Sequence, residues 1–453
     1  MDEKVPPLPI DGLHSHITRY DNFFKVYRRD NSKKARQYLE GLFHECKHNI
    51  ERMNERISDS EYQQLHHFIS VSPWDHQPLI AAMSRDISKL FENRSGQVGL
   101  ILDESGHRKS GKKSVGVGRQ YLGSLGKVDN GQVAVFAALN QGDEVAMVDT
   151  RLYLPKGWTT DRVRCKKAGI PAESCVYKTK PELGLEMIKE LVGRVKFDWV
   201  GGDSIYGSSK GLRKGLQDLK QLYIMDVSED LSVYLQNPQP YIPPTGSGKG
   251  RKKSSYVSDY SPMKIKDLEQ VQSDGKWRTI KVRQGTKGPL IRKVKVLNVF
   301  VWSAKRVTSA AVEKLRLIIS CNQDGTQLKY SLTNDIALEC RQNLSDKELV
   351  YGQMQRYWVE RGIQNCKDAL GMTDYQVRGW RAWHHHMAMT IMALQYMLEQ
   401  KIYHENEIPL LSCHDIKFFF AMNLPSKTTN AEQVWSLIQK RHEQRQSDLN
   451  RYQ

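Results

Sequence analysis

Val350–Gly371 reads VYGQMQRYWVERGIQNCKDALG. It contains no proline, and its interior glycines are Gly352 and Gly362, so the stretch is expected to form a helix. Arg356 and Glu360 stand four residues apart and share a helical face. Lys367 follows Arg356 by close to three full turns and lies on that same face. A cation, a carboxylate and a second cation in a row can be a solvated face with i,i+4 ion pairs. The same row suits an enzyme that handles a phosphodiester backbone, with the carboxylate holding a divalent metal and the cations holding phosphate oxygens.

Two aspartates far upstream favour the second reading. Each ends an apolar, strand-like run: Gly99-Leu-Ile-Leu-Asp103 and Phe197-Asp-Trp-Val-Gly-Gly-Asp203. The order Asp103, Asp203, Glu360, with Glu360 inside R-x-x-x-E-x-x-x-x-x-x-K, resembles the DDE transposases of bacterial insertion sequences, of the IS4/IS701-like kind. Further runs carry the resemblance: Ser114–Gln132 (SVGVGRQYLGSLGKVDNGQ), Leu152–Trp158 (LYLPKGW), Pro181–Leu183, Gly202–Gly207 and Tyr375–His386 (YQVRGWRAWHHH). The similarity extends from about Glu61 to Leu398.

The chain has 453 residues, enough for two or three domains. It carries 68 Lys+Arg against 51 Asp+Glu, a formal net charge of +17. That excess favours a polyanionic partner, usually nucleic acid, over a merely basic soluble protein. None of the seven cysteines forms a C-x-x-C pair, which argues against a disulfide framework or structural zinc and fits a reducing cytosol. The N-terminus MDEKVPPLPI lacks an apolar signal core. The apolar stretch Met387–Leu398 is broken by Thr390 and Gln395 and is too short to span a bilayer. A soluble, cytoplasmic protein is expected.

In chain order, a Pro-rich arm precedes a long amphipathic helix expected over Asn31–Ile57, with Tyr38, Leu42, Cys46, Ile50 and Met53 on one face. A shorter helix follows Ser58-Asp-Ser60. A third is announced by Ser72-Pro73 and runs through Ile80, Met83, Ile87 and Leu90. This helical region could bind DNA or simply pack on the core. Strands are expected at Val98–Leu102, Gln132–Leu139, Glu144–Leu154, Val195–Val200 and Gln221–Val227. Glu104–Gly131 is read as a long Gly/Lys/Arg-rich loop, whose Lys112, Lys113 and Arg119 are candidate phosphate contacts or else a solvated surface. Helices are expected at Asp161–Ala172, Lys180–Val195 and Leu212–Leu219.

Ser228–Lys347 contains the linker-like Thr245–Ser255 (TGSGKGRKKSS) and then strand-like runs at Trp277–Arg283, Leu290–Trp302, Leu315–Cys321 and Thr326–Leu332. It is either a spacer or a DNA-contacting platform, the latter through Arg278, Lys281, Arg283, Lys287, Arg292, Lys293 and Lys295. Three consecutive histidines, His384-His385-His386, point in three directions on a helix, which favours core packing over a shared metal. The polar tail is expected to be helical from Asn430 to about Leu449.

The resemblance implies an α/β protein with an RNase H-like catalytic core, a β-rich insertion and a helical N-terminal region. The expected divisions are a helical DNA-binding region at 1–95, the core at 96–228 and 347–402, the insertion at 229–346 and a helical tail at 403–453. It implies that Asp103, Asp203 and Glu360 are catalytic and hold two Mg²⁺ ions, with Mn²⁺ able to substitute. It assigns DNA contacts to Arg356 and Lys367, and Tyr357 is a candidate to stack on an extruded base. Trp302 is a second stacking candidate, although both aromatics are more often core residues. The implied activity is cut-and-paste transposition: cleavage at the terminal inverted repeats of an insertion sequence, then joining of the freed 3′-hydroxyl to target DNA. Double-stranded DNA is the expected partner, with a dimer in the synaptic complex, no membrane, and a bacterial, nucleoid-associated location.

The sequence departs from the IS4-like signature Y-x-x-R-x-x-x-E-x-x-x-x-x-x-K at its first position, where Gln353 stands. Gln can hydrogen-bond a phosphate but cannot stack. Ser204 follows the second aspartate, where many relatives have an acid. Two other readings remain open at this level: a non-catalytic DNA-binding regulator derived from a transposase, and an RNase H-fold nuclease without strand transfer.

Overall fold

The computed structural model describes residues 8, 10–244, 254–271, 277–285, 288–302, 309–338, 343–427 and 430–450. The Pro-rich start at 1–7, most of the Gly/Ser-rich linker (245–253) and Lys287 lie outside the described residues.

The N-terminal fifth is mostly helical. Helix α1 (Ile10–Thr18) leads to a small hairpin of β1 (Lys25–Val26) and β2 (Arg29–Asp30), then α2 (Ser32–Phe43), α3 (Ile50–Asn54), α4 (Tyr62–Ser70) and α5 (His76–Glu92). The single helix expected over Asn31–Ile57 is therefore broken. His44 turns to extended backbone, Asn49 caps the Arg52 N–H, and α3 folds back against α2. The return is close enough that a Cβ at Gly41 would lie 2.4 Å from Met53 Cε. Helix α5 likewise starts beyond Ser72-Pro73, with Asp75 as its cap. Trp74 is buried first, donating from Nε1 to the Phe68 carbonyl at 3.1 Å.

Ten strands then form one mixed sheet. The first are β3 (Val98–Arg108), β4 (Gly118–Leu122), β5 (Lys127–Gln141) and β6 (Glu144–Leu152). The short helices α6 (Lys156–Thr159) and α7 (Arg162–Lys167) follow, so the helix expected at Asp161–Ala172 is only its first half. Helix α8 (Lys180–Leu191) opens with a capping box from Thr179 and Glu182. After it come β7 (Trp199–Gly202), the turn-like α9 (Ser204–Gly207), α10 (Lys210–Asp218) and β8 (Tyr223–Asp226).

A second small ladder pairs β9 (Ser232–Val233) with β10 (Met263–Lys264), next to α11 (Ile265–Val271). The large sheet resumes with β11 (Arg278–Gly285), β12 (Gly288–Val301), β13 (Glu313–Cys321) and β14 (Lys329–Thr333). The chain closes with α12 (Asp346–Asp368), α13 (Trp380–Tyr403), α14 (Cys413–Asn423) and α15 (Ala431–Asn450).

The strand order is β11-β12-β13-β14-β8-β7-β3-β5-β4, with β6 also paired to β5. Strands β3, β7 and β8 are mutually parallel, and β5 is antiparallel to both β3 and β6. The β-rich segment after Ser228 thus continues the same sheet, because β14 pairs antiparallel with β8. Most of the loop expected at Glu104–Gly131 is also strand. β3 pairs with β5 as far as Arg108, and β4 adds an edge. Buried Leu122 packs so tightly over Gly106 and Gly131 that a Cβ on either would meet it at under 3.0 Å.

Apolar side chains cover both faces of the central strands, which is why Val98–Leu102 is continuously apolar rather than alternating. Leu100 and Leu102 share one core with Met187 and Leu191 of α8 and Leu212 and Leu216 of α10. Ile101 faces the other core, with Val359 and Ile363 of α12 and Met389 and Met392 of α13. The three histidines of α13 are buried in separate bonds: His384 with the Trp380 carbonyl, His385 with those of Ile69 and Trp74, and His386 with Tyr38 and Met372. Among the described residues no helix is long and apolar enough to cross a membrane.

Candidate functional site

Register brings the two aspartates together. Strands β3 and β7 run parallel with Leu102 opposite Gly202, so Asp103, in the middle of β3, and Asp203, just past the end of β7, follow side by side where that pairing stops. Asp203 also caps α9, its Oδ1 accepting the Ile205 N–H at 2.9 Å. The α9 turn presses onto the end of β8: a Cβ at Gly207 would lie 2.0 Å from the Asp226 carbonyl oxygen. Only glycine fits there without moving the segment that carries Asp203.

Carboxylate oxygens of Asp103, Glu104 and Asp203 lie within 4.8 Å of one another. Asp103 is buried, and burial pushes its carboxyl up to about 7, Arg356 opposing the shift and Asp203 adding to it. Asp203 is raised as well, by burial and then by the Glu104 charge. Glu104 is held at one oxygen by Lys180, 2.8 Å away. Its other oxygen, Oε2, is buried and makes no hydrogen bond among the described residues, with the Tyr206 hydroxyl nearby. A converging set of carboxylates with an unused buried oxygen fits a hard divalent cation, which takes oxygen ligands.

Helix α12 lies across the α13-side face of the sheet, opened by a capping box from Ser345 and Glu348. Its two interior glycines permit close contact: a Cβ at Gly352 would meet Ile224 Cδ1 at 2.5 Å, and one at Gly362 would meet Val145 Cγ1 at 2.7 Å. Glu360 stands at the helix margin with 48 % of its side chain exposed and accepts a hydrogen bond from Arg356. The same guanidinium nitrogen lies 4.0 Å from Asp103 Oδ2. One cation therefore bridges the helix acid and the strand acid. Glu360 itself is outside the three-acid cluster.

Lys367 is half-buried near Asp103 and His107; burial lowers its ammonium, and the neighbouring acids act in the opposite sense. Lys112 and Lys113 are exposed in the segment between β3 and β4, and Arg119 is exposed on β4. These three sit on the ribbon beyond the end of β3, not in the acidic cluster. Tyr357 is 46 % exposed and packs edge-on against Trp358, with the Arg283 guanidinium 4.4 Å from the Trp358 ring. Trp302 is buried, and its Nε1 donates to the Ser309 carbonyl at 3.2 Å, so its ring is not presented to a base.

Sequence reasoning missed two acids. Glu104 directly follows Asp103, and strand alternation alone would send it to the opposite face. Asp226 follows the apolar run Leu222–Met225, much as Asp103 and Asp203 follow theirs in the sequence, which was the available signal. It accepts from Arg356 Nε at 3.2 Å. Gln353 is buried and bonds Ser320 and Ser331 rather than facing outward as a phosphate contact.

A family model described as "DDE superfamily endonuclease" matches residues 13–289, more than half of the chain. The chain is 33 % identical over 229 residues to a protein of Microchaete diplosiphon described as "Probable transposase for insertion sequence element IS701". That alignment covers 49 % of this chain and 56 % of the relative, so little more than half of the relative's length is spanned. Among solved structures, a piggyBac transposase synaptic complex with hairpin DNA aligns over 94 % of this chain and 78 % of its own, at 13 % identity and a TM-score of 0.38. The extent of the family match makes the chain a member of the DDE superfamily of endonucleases.

Proposed function

We propose that this protein is a DNA transposase of the IS701-like kind, which excises an insertion sequence at its terminal inverted repeats and joins the freed 3′-hydroxyl ends to target DNA. The observation that carries this reading is the convergence of Asp103, Glu104 and Asp203 where the parallel pairing of β3 and β7 stops, beside a helix whose Glu360 is tied to the same site by Arg356. The description of the Microchaete relative supports it. A sheet whose central β3 has an antiparallel neighbour on one side and parallel β7 and β8 on the other supports an RNase H-like core at 96–228 and 347–402. On this reading residues 1–95 form a helical DNA-binding region, and the strands at 229–346 add DNA-contacting surface.

Asp103 and Asp203 would hold the cation site from neighbouring β3 and the end of β7, and Glu360 would close it from α12. Bound Mg²⁺, or Mn²⁺ in its place, supplies Lewis acidity to the attacking and leaving oxygens of the phosphodiester. Arg356 and Lys367 flank Glu360 and hold phosphate oxygens of the scissile strand. Lys112, Lys113 and Arg119 hold the backbone further along, and Tyr357 offers the exposed aromatic face on which an extruded base stacks. Water attacks the phosphodiester at the element's end and its 3′-oxygen leaves as a free 3′-hydroxyl; that hydroxyl then attacks a phosphodiester of the target, whose own 3′-oxygen leaves as a hydroxyl. Two copies of the chain bring two DNA ends together.

The test is a duplex carrying the gene's own flanking DNA, incubated with wild type, Asp203→Asn and Glu360→Gln, with and without Mg²⁺. Site-specific cleavage and joining by wild type in Mg²⁺, lost in both variants, is the expected result. Specific binding without cleavage in any condition points to a regulator. Cleavage without joining points to a nuclease.

A further inference from the structure

Arg356 does not stand alone behind the site acids. Its Nε donates to Asp226 Oδ2 at 3.2 Å, while another nitrogen of the same guanidinium reaches Glu360 and approaches Asp103. Asp226 Oδ1 accepts from the Ser331 hydroxyl at 2.7 Å. Ser331 in turn accepts from Gln353 Nε2 at 2.8 Å, and Gln353 Oε1 accepts from the Ser320 hydroxyl at 2.6 Å. The Arg292 guanidinium donates to Ser320 at 3.4 Å. Arg292, Ser320, Ser331 and Gln353 are all buried.

Every donor along this chain points the same way, from β12 through β13, α12 and β14, and the chain ends on the Asp226 carboxylate. One oxygen of Asp226 is thereby held by the chain, and the other is left facing Arg356. A hydrogen-bond chain with a single donor direction has no alternative arrangement without leaving a buried group unpaired. Gln353 joins the two serines through separate atoms of its amide, the oxygen accepting from Ser320 and the nitrogen donating to Ser331.

We propose that Asp226 is a positioning residue for Arg356. By drawing part of the guanidinium to itself, it stops Arg356 from settling wholly on Asp103 and Glu360, so that a divalent cation can take those carboxylates. This rests on the reading that Asp103, Asp203 and Glu360 form the cation site.

The experiment is calorimetric titration of the full chain with Mn²⁺ alone, without DNA, on wild type, Asp226→Asn, Arg356→Gln and the double variant. Asp103→Asn serves as the control for the site itself. Asp226→Asn keeps the side-chain shape and removes the charge; it is expected to weaken Mn²⁺ binding by about tenfold, the scale of groups that orient metal ligands. Arg356→Gln removes the competing cation and is expected to tighten binding. The double variant should match Arg356→Gln, because Asp226 acts only through Arg356. A merely structural role for Asp226 would lower the urea midpoint and leave the order of affinities unchanged.

Wild type that binds Mn²⁺, with Asp226→Asn binding it equally well, overturns the positioning role alone. So does a double variant weaker than Arg356→Gln. Wild type whose Mn²⁺ binding is absent, or unaffected by Asp103→Asn, overturns the site reading and this proposal with it.

Discussion

His386 gives the sharpest quantitative test of how α13 is built. The Tyr38 hydroxyl lies 2.8 Å from Nδ1, and Nε2 lies 3.2 Å from the Met372 carbonyl. A neutral imidazole satisfies both, accepting from Tyr38 and donating to Met372. Burial drives the imidazole from 6.5 down to about 3, with the Met372 bond opposing. The folded value lies below the unfolded one, so the unfolded chain binds the extra proton between these limits. The stability this residue contributes is complete above pH 6.5 and is lost as pH falls towards 3. Integrated from pH 7.5 to pH 5, the loss is about 2 kcal/mol from His386 alone.

His386→Gln keeps a donor for Met372 and an acceptor for Tyr38 but does not titrate. Urea unfolding followed by tryptophan fluorescence at several pH values between 7.5 and 5 reads the difference directly. The variant should lose about 2 kcal/mol less than wild type over that range, whatever its absolute stability at pH 7.5. Other imidazoles lowered by desolvation, His76 to about 4 and His107 to about 3, titrate below this range in the folded state of both proteins and cancel. Equal pH dependence in the two would refute the account of His386 as a buried neutral ring.

Three further outcomes are expected. Asp103 is buried with its carboxyl raised from 3.8 to about 7, so its ionisation opposes folding increasingly as pH rises through that window. In chelator at pH 8, Asp103→Asn should therefore raise the unfolding free energy, by up to about 4 kcal/mol in urea titration, and in Mg²⁺ the same variant should not cleave. Gly207→Ala places a Cβ 2.0 Å from the Asp226 carbonyl oxygen and should lower stability by about 3 kcal/mol; a urea midpoint equal to wild type would count against the described packing of α9 on β8. Tyr357→Ala should weaken binding of DNA with an extruded base by about tenfold in an anisotropy titration, whereas Trp302→Phe should leave it unchanged because that ring is buried.

The sequence by itself determined the local elements and the acids that end them. Helix α12 was legible from spacing within Val350–Gly371, because helical periodicity is set by residues within a few positions of one another; its first turn and the Ser345–Glu348 capping box lay outside that reading. Asp203 was legible as a strand-end acid for the same reason, whereas Asp103 lies mid-strand because β3 runs on to Arg108 against β5. The divided helix at Asn31–Ile57 and the ribbon hidden in Glu104–Gly131 were not legible, because each depends on a glycine lying under a distant side chain, Gly41 under Met53 and Gly131 under Leu122. Only the tertiary structure decided that β11–β14 continue the sheet of β3, since that follows from the pairing of β14 with β8 more than 100 positions earlier in the chain. It also decided that Gln353 turns inward to Ser320 and Ser331, and that Asp226 and Glu104 join the acids around Arg356 and Asp103. Hydrogen-bond partners of this kind are chosen by which strands and helices meet in space, and no local pattern in the sequence encodes that meeting.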